Sequence, residues 1–129
     1  MNNFENICLC ALNNIFGYEP RVALFLLEKT GSAEGVFSMD RAAKDELLGP
    51  FSKYGRLLCQ EEIEKAARHI ERAASAGARF VGITSPAYPE RLRQCPDAPV
   101  GLFVRSSDDP EKVFSTRNFV AIVGTRDLT

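Results

Sequence analysis

The chain has no tryptophan, a single histidine and no long apolar run. Its best candidate for a span, VALFLL at residues 22–27, falls far short of the about 20 apolar residues that cross a bilayer. No basic stretch precedes the apolar part of MNNFENICLC, so the pattern of a secretory leader is missing too. Both absences lead us to expect a cytoplasmic protein that does not engage a membrane. With His69 alone and four scattered cysteines, Cys8, Cys10, Cys59 and Cys95, no zinc-ligand spacing occurs and no metal site is expected. Cys8 and Cys10 lie two apart on a predicted helix and point to different faces. All four read as free thiols packed as small apolar side chains.

A charge excess of either sign is also lacking. The 16 Lys/Arg against 17 Asp/Glu leave −1, with 9 against 11 through Gly77 and 7 against 6 after it. Neither half is a polycation, so a polyanion would have to be held at a local site. What is present, 45% hydrophobic and 26% charged residues in 129, fits a soluble globular chain of one ordinary domain or two small ones.

Residues 1–77 read as helices. FENICLCALNNIF (4–16) offers Ile7, Leu9, Cys10, Ala11, Leu12 and Ile15 to a buried face, and Glu5 is its only charge. Pro20 suits the first turn of a second helix over about 20–30, where its missing N–H costs nothing. Val22, Phe25, Leu26 and Lys29 fall on one side of that helix, and Gly31 suits a left-handed stop. Ser32 is a cap for a short third helix with Glu34 in its first turn. Asp40 is a cap for a helix through Leu48, which Gly49-Pro50 ends. In QEEIEKAARHIERAASAG (60–77), Ile63, Ala66, Ala67, Ile70, Ala73 and Ala74 form a stripe at helical spacing. Glu61–Lys65 and Glu64–Arg68 are spaced as i, i+4 pairs on the other side, His69 is expected beside them in solvent, and Gly77 is the stop.

After Gly77 the period changes. ARFVGIT (78–84) and VGLFVRS (100–106) read as strands. Four prolines lie between them, around a short helix from Pro89 to Gln94. Residues 108–118 read as a connector, and FVAIV (119–123) as a strand buried on both faces. The expected fold is therefore a small helical domain over 1–77 followed by the first strands of an α/β domain over 78–129.

Two stretches have the chemistry to hold a phosphate. NIFGYEPRVALFLLEKTGSAEGVF resembles a helix-hairpin-helix unit, in which backbone N–H groups of a glycine-rich turn face a phosphate. Here Gly17 is the only glycine of that kind, and the Glu19 carboxylate repels phosphate. A packed helical module or a protein-interaction surface is the preferred reading of that hairpin. The second stretch follows the apolar strand. Gly124 permits a sharp turn and close approach, and the N–H groups of Gly124, Thr125 and Arg126 can converge as an anion nest. Thr125 adds a hydroxyl donor and Arg126 a planar fork matched to phosphate oxygens. The alternative is an ordinary turn with a surface arginine.

The loop belongs to an ordered set: Tyr88-Pro89 with Leu92, then Pro96-Asp97-Ala98-Pro99, then Leu102-Phe103-Val104-Arg105, then Val120-Ala121-Ile122-Val123-Gly124-Thr125-Arg126. In order and spacing this set resembles the DprA/Smf family of DNA-processing proteins, and residues 1–77 resemble that family's helical, SAM-like N-terminal domain. The resemblance implies a bacterial cytoplasmic protein that binds single-stranded DNA through an extended Rossmann-like domain, protects incoming DNA and helps to load the RecA recombinase in natural transformation. It implies no enzymatic activity and no cofactor. The family's Gly-Ser-Arg falls on Gly124, Thr125 and Arg126, with Arg126 as the phosphate contact. Thr125 for serine keeps the hydroxyl, while Ser106 stands where the family has glycine and Glu19 departs from its hairpin. Tyr88-Pro89 is expected to set the angle of the short helix, while Arg91 and Arg93 either flank the groove or are solvated.

On this reading the Rossmann-like part is incomplete at Thr129. Further basic and aromatic groove residues, and any homodimer contact, would lie downstream. The chain supplies half a site, expected to bind DNA weakly or not at all, with 124–129 poorly ordered or held by another molecule. Two other readings compete. A phosphoribohydrolase-like nucleotide-binding enzyme would need acidic and arginine motifs further along, and a pure protein-interaction module would use the helical part alone.

Overall fold

The structure, a computed structural model, describes residues 3–105. The strand expected at 119–123 and the loop Gly124-Thr125-Arg126 lie outside the described residues.

Helix α1 (Asn3–Ile15) is the centre of the molecule. Cys8, Leu9, Cys10, Ala11 and Leu12 are all buried, so the helix is enclosed on every side rather than along one stripe. Its one charge has a defined task. Glu5 accepts the Ala33 N–H at 2.7 Å and the Glu34 N–H at 2.9 Å, closing two of the orphan donors at the start of α3 (Ala33–Ser38). Ser32 accepts a third, from Gly35, at 3.0 Å.

Helix α2 (Pro20–Thr30) begins on its proline and ends at Gly31, where φ is +87° and the N–H donates to Leu27 O. Its inner face differs from expectation. Ala23 and Leu26 are buried and Val22 and Leu27 pack beside them, whereas Phe25 is exposed with Lys29 Nζ 5.6 Å from its ring centre. The small Ala23, not Phe25, shares the inner face with Leu26.

Helix α4 (Arg41–Leu48) is capped by Asp40, which accepts the Ala43 N–H at 2.8 Å, and stops at Gly49. A further helix, α5 (Lys53–Leu57), follows Ser52, whose hydroxyl accepts the Tyr54 N–H. Helix α6 (Gln60–Ser75) buries Ile63 and Ala66 against α1, but Ala74 is exposed, so only part of the expected stripe is used. Lys65 pairs with Glu62 at 3.3 Å, one turn position away from the expected Glu61.

Past Gly77 (φ +84°) come β1 (Ala78–Gly82), the short helix α7 (Glu90–Arg93) and β2 (Gly101–Arg105). The strands pair antiparallel, from Ala78↔Arg105 to Gly82↔Gly101. Alternation then assigns two faces. Phe80 and Phe103 meet edge to face at 5.1 Å and join the core built on α1 and α6. Val81, Leu102 and Val104 point the other way and are covered by Ala87, Tyr88 and Leu92. The two-stranded sheet is therefore an inner layer with apolar contacts on both faces, and the α1 core runs across Gly77 into it. Gly101 makes room for the Phe80 ring, and Gly82 lets β1 approach Leu9 of α1. The described residues form an α+β arrangement, mostly helical with this one small antiparallel sheet.

Candidate nucleic-acid interface

Of the residues that carried the family resemblance, Tyr88, Leu92, Leu102 and Val104 come together around the second face of the sheet. Tyr88 is 2% exposed and donates its hydroxyl to Pro99 O at 2.7 Å, tying the start of α7 to the strand that follows. Burial pushes the Tyr88 phenol well above its ordinary range, with the Arg93 charge acting in the opposite direction. Such a phenol is a fixed donor, not an acid or base. Tyr88-Pro89 thus sets the angle at which the short helix leaves, as expected.

Arg93 is half-buried, and its guanidinium is committed to the chain's own groups. Its Nε donates to Ile83 O at 3.0 Å and its Nη2 to Ser85 O at 2.7 Å, while Nη1 is paired with Glu90. The guanidinium also lies 5.4 Å from the Tyr88 ring centre, a cation–π distance. One planar fork holds the turn after β1. Arg91, on the same helix, is exposed and carries no such bonds among the described residues. Of the two arginines, only Arg91 is placed to meet a polyanion.

The hairpin between α1 and α2 is closed by its own chain. The Glu19 N–H donates to Phe16 O at 2.9 Å, and Glu19 O accepts from Val22. Its carboxylate is bonded to Tyr54, whose phenol is pushed up to about 12 by burial first and then by that bond and charge. A turn whose donor at Glu19 is used internally and whose side chain is anionic is a poor cradle for phosphate. It ties α2 to α5 instead, which fits the packed-module reading.

His69 departs from its expected solvated position. Its ring is half-buried and packs on Phe103 at 4.5 Å. Burial, helped by the Arg72 charge, lowers its pKa below the ordinary value. The thiols also divide. Cys8 and Cys10 are buried, and burial pushes both up to about 12, Glu5 and Glu34 adding to the effect at Cys8. Neither is a nucleophile at neutral pH. Cys59 and Cys95 are exposed, against the expectation of four packed thiols. No group of three or more His, Cys, Asp or Glu that could hold a metal occurs among the described residues.

One feature escaped the sequence reading. Between α4 and α5 lies a cleft lined by Arg41, Lys44, Asp45, Phe51 and Arg56, with Phe51 97% exposed. The signal was available: Gly-Pro-Phe-Ser between two short helices, with basic residues on each side. Comparison with protein-family models, with curated proteins and with solved structures finds no match for the chain.

Proposed function

We propose that the chain is the N-terminal portion of a DprA/Smf-type protein that binds single-stranded DNA. Residues 1–77 would form its SAM-like helical part, and residues 78–129, with β1 and β2, the first strands of a Rossmann-like domain. The observation that supports this most is the inner position of the sheet. Both of its faces are covered by apolar contacts, from α1 and α6 on one side and from the Tyr88–Leu92 region on the other. A strand as apolar as Phe119–Val123 is at home only in such a layer.

The mechanism is binding, with no chemical step. Backbone N–H groups at Gly124, Thr125 and Arg126, the Thr125 hydroxyl and the Arg126 guanidinium would hold a phosphate of the strand. Affinity would be weak, since one such contact releases few counterions, and would fall with salt. The protein would work in the cytoplasm, hand DNA to a RecA-type recombinase and dimerise through residues downstream of Thr129. A competition titration tests the reading. A labelled oligothymidylate bound by the full chain should be displaced by unlabelled single strands and by raised salt. Tight binding that ignores salt would overturn the electrostatic mechanism.

A further inference from the structure

We propose that the cleft between α4 and α5 is a separate contact for single-stranded nucleic acid, with a base stacked on Phe51 and flanking phosphates held by Arg41 and Arg56. It shares a ligand class with the terminal-loop reading but none of its residues.

Phe51 is the most exposed large apolar side chain among the described residues, at 97%, while every other one keeps more of its surface covered. Its position is built. Gly49 donates to Asp45 O at 2.9 Å, Ser52 donates to Gly49 O at 3.3 Å, and the Ser52 hydroxyl caps α5. The turn so formed holds the ring outward, with no aromatic or cation partner among the described residues. The neighbouring aromatic, Tyr54, is by contrast packed on Phe16 at 4.5 Å, with Lys53 Nζ 5.1 Å from its ring centre.

The surroundings select the ligand. The cleft measures about 530 Å³ and its charged lining is Arg41, Lys44 and Arg56 against Asp45. Lys44 is committed to Leu58 O at 3.0 Å and shapes the wall. Arg41 and Arg56 are exposed and have no bonded partner among the described residues. A bare π-face that shares a cleft with two unpaired guanidinium groups matches a nucleotide with its adjoining phosphates, since stacking needs only the face of a base and the forks need only phosphate oxygens. A duplex keeps its bases stacked and cannot offer one to Phe51. An acidic peptide would use the arginines but leave the ring without an equivalent partner. A second open cleft, lined by Tyr18, Pro20 and Arg21, contains Glu19 and Asp97, which disfavour phosphate.

The test is a titration of the full chain with a twelve-residue oligothymidylate, followed by amide chemical shifts and by fluorescence anisotropy at two salt concentrations. Shifts should cluster at Phe51, Gly55 and Arg56. Phe51→Ala, at an exposed site that leaves the thermal melt unchanged, should weaken binding about tenfold, and Phe51→Trp should restore it. Arg56→Ala should lower the salt slope by about one. Equal affinity of Phe51→Ala and wild type, no binding by wild type, or equal competition by a duplex or an acidic peptide would each overturn the proposal. Arg126→Ala separates it from the terminal-loop reading. Loss of the Phe51 effect alone sinks this cleft, and loss of the Arg126 effect alone sinks the loop.

Discussion

Replacing Gly101 by alanine places a Cβ into the ring of Phe80, 2.9 Å from Cε2 and nearer still to Cε1 and Cζ. Phe80 is only 7% exposed and has no open side to retreat to, because Phe103 lies against it edge to face and α1 and α6 close the layer. The backbone cannot yield readily either, since Gly101 is paired with Gly82 and Gly82 already approaches Leu9. Overpacking of this kind costs about 1–3 kcal/mol, and the clash with an aromatic ring in a closed layer belongs at the upper end. For a body of this size that is a fall in Tm of about 10 °C, measurable by circular dichroism with urea unfolding as a second readout. A double-mutant cycle isolates the cause. Phe80→Leu shortens the ring, so Gly101→Ala with Phe80→Leu should cost clearly less than the sum of the two single changes. A Gly101→Ala protein that melts with wild type, or penalties that simply add, would refute the packing described for the sheet.

Tyr88→Phe removes the buried hydroxyl that meets Pro99 O and should cost about 1–2 kcal/mol in urea unfolding; an unchanged stability would mean that this bond is not made. The lowered pKa of His69 means that below about 6.5 the unfolded chain takes up a proton that the folded chain resists. Stability should therefore drop as pH falls below that value, and the drop should be smaller in His69→Gln when the two are compared at pH 7.5 and 5.5. If the two lose stability equally, the half-buried packing on Phe103 is wrong. With a chromogenic disulfide reagent, Cys59 and Cys95 should react rapidly in the folded protein and Cys8 and Cys10 only after unfolding. Four fast thiols would contradict the buried position of α1.

Features set by short-range chemistry were legible in the sequence. Pro20 starts a helix, Gly31 and Gly49 stop helices, and Ser32 and Asp40 cap them, because each acts within a few residues of its own position. Features set by distant partners were not. Phe25 reads as inward on hydropathy, yet the residue buried beside Leu26 is the small Ala23. His69 sits beside charges along α6, but its neighbour is Phe103, more than thirty positions on. The direction of β2 relative to β1 was also open, since the proline-rich connection can return the chain either way, and the pairing is antiparallel. Helix α5 escaped notice because KYGRL is one turn long and carries a glycine. For the site, Tyr88 fulfilled its expected positioning role, whereas Arg93 proved to be committed to the backbone carbonyls of Ile83 and Ser85. The Gly124-Thr125-Arg126 loop lies outside the described residues.

The proposed phosphate contact at Gly124-Thr125-Arg126 is tested by the salt dependence of oligothymidylate binding by the full chain, compared between wild type and Arg126→Ala. Weak binding whose affinity falls with salt is expected, with a log–log slope that becomes about one unit shallower when the guanidinium is removed. An unchanged slope and unchanged affinity in Arg126→Ala would contradict it.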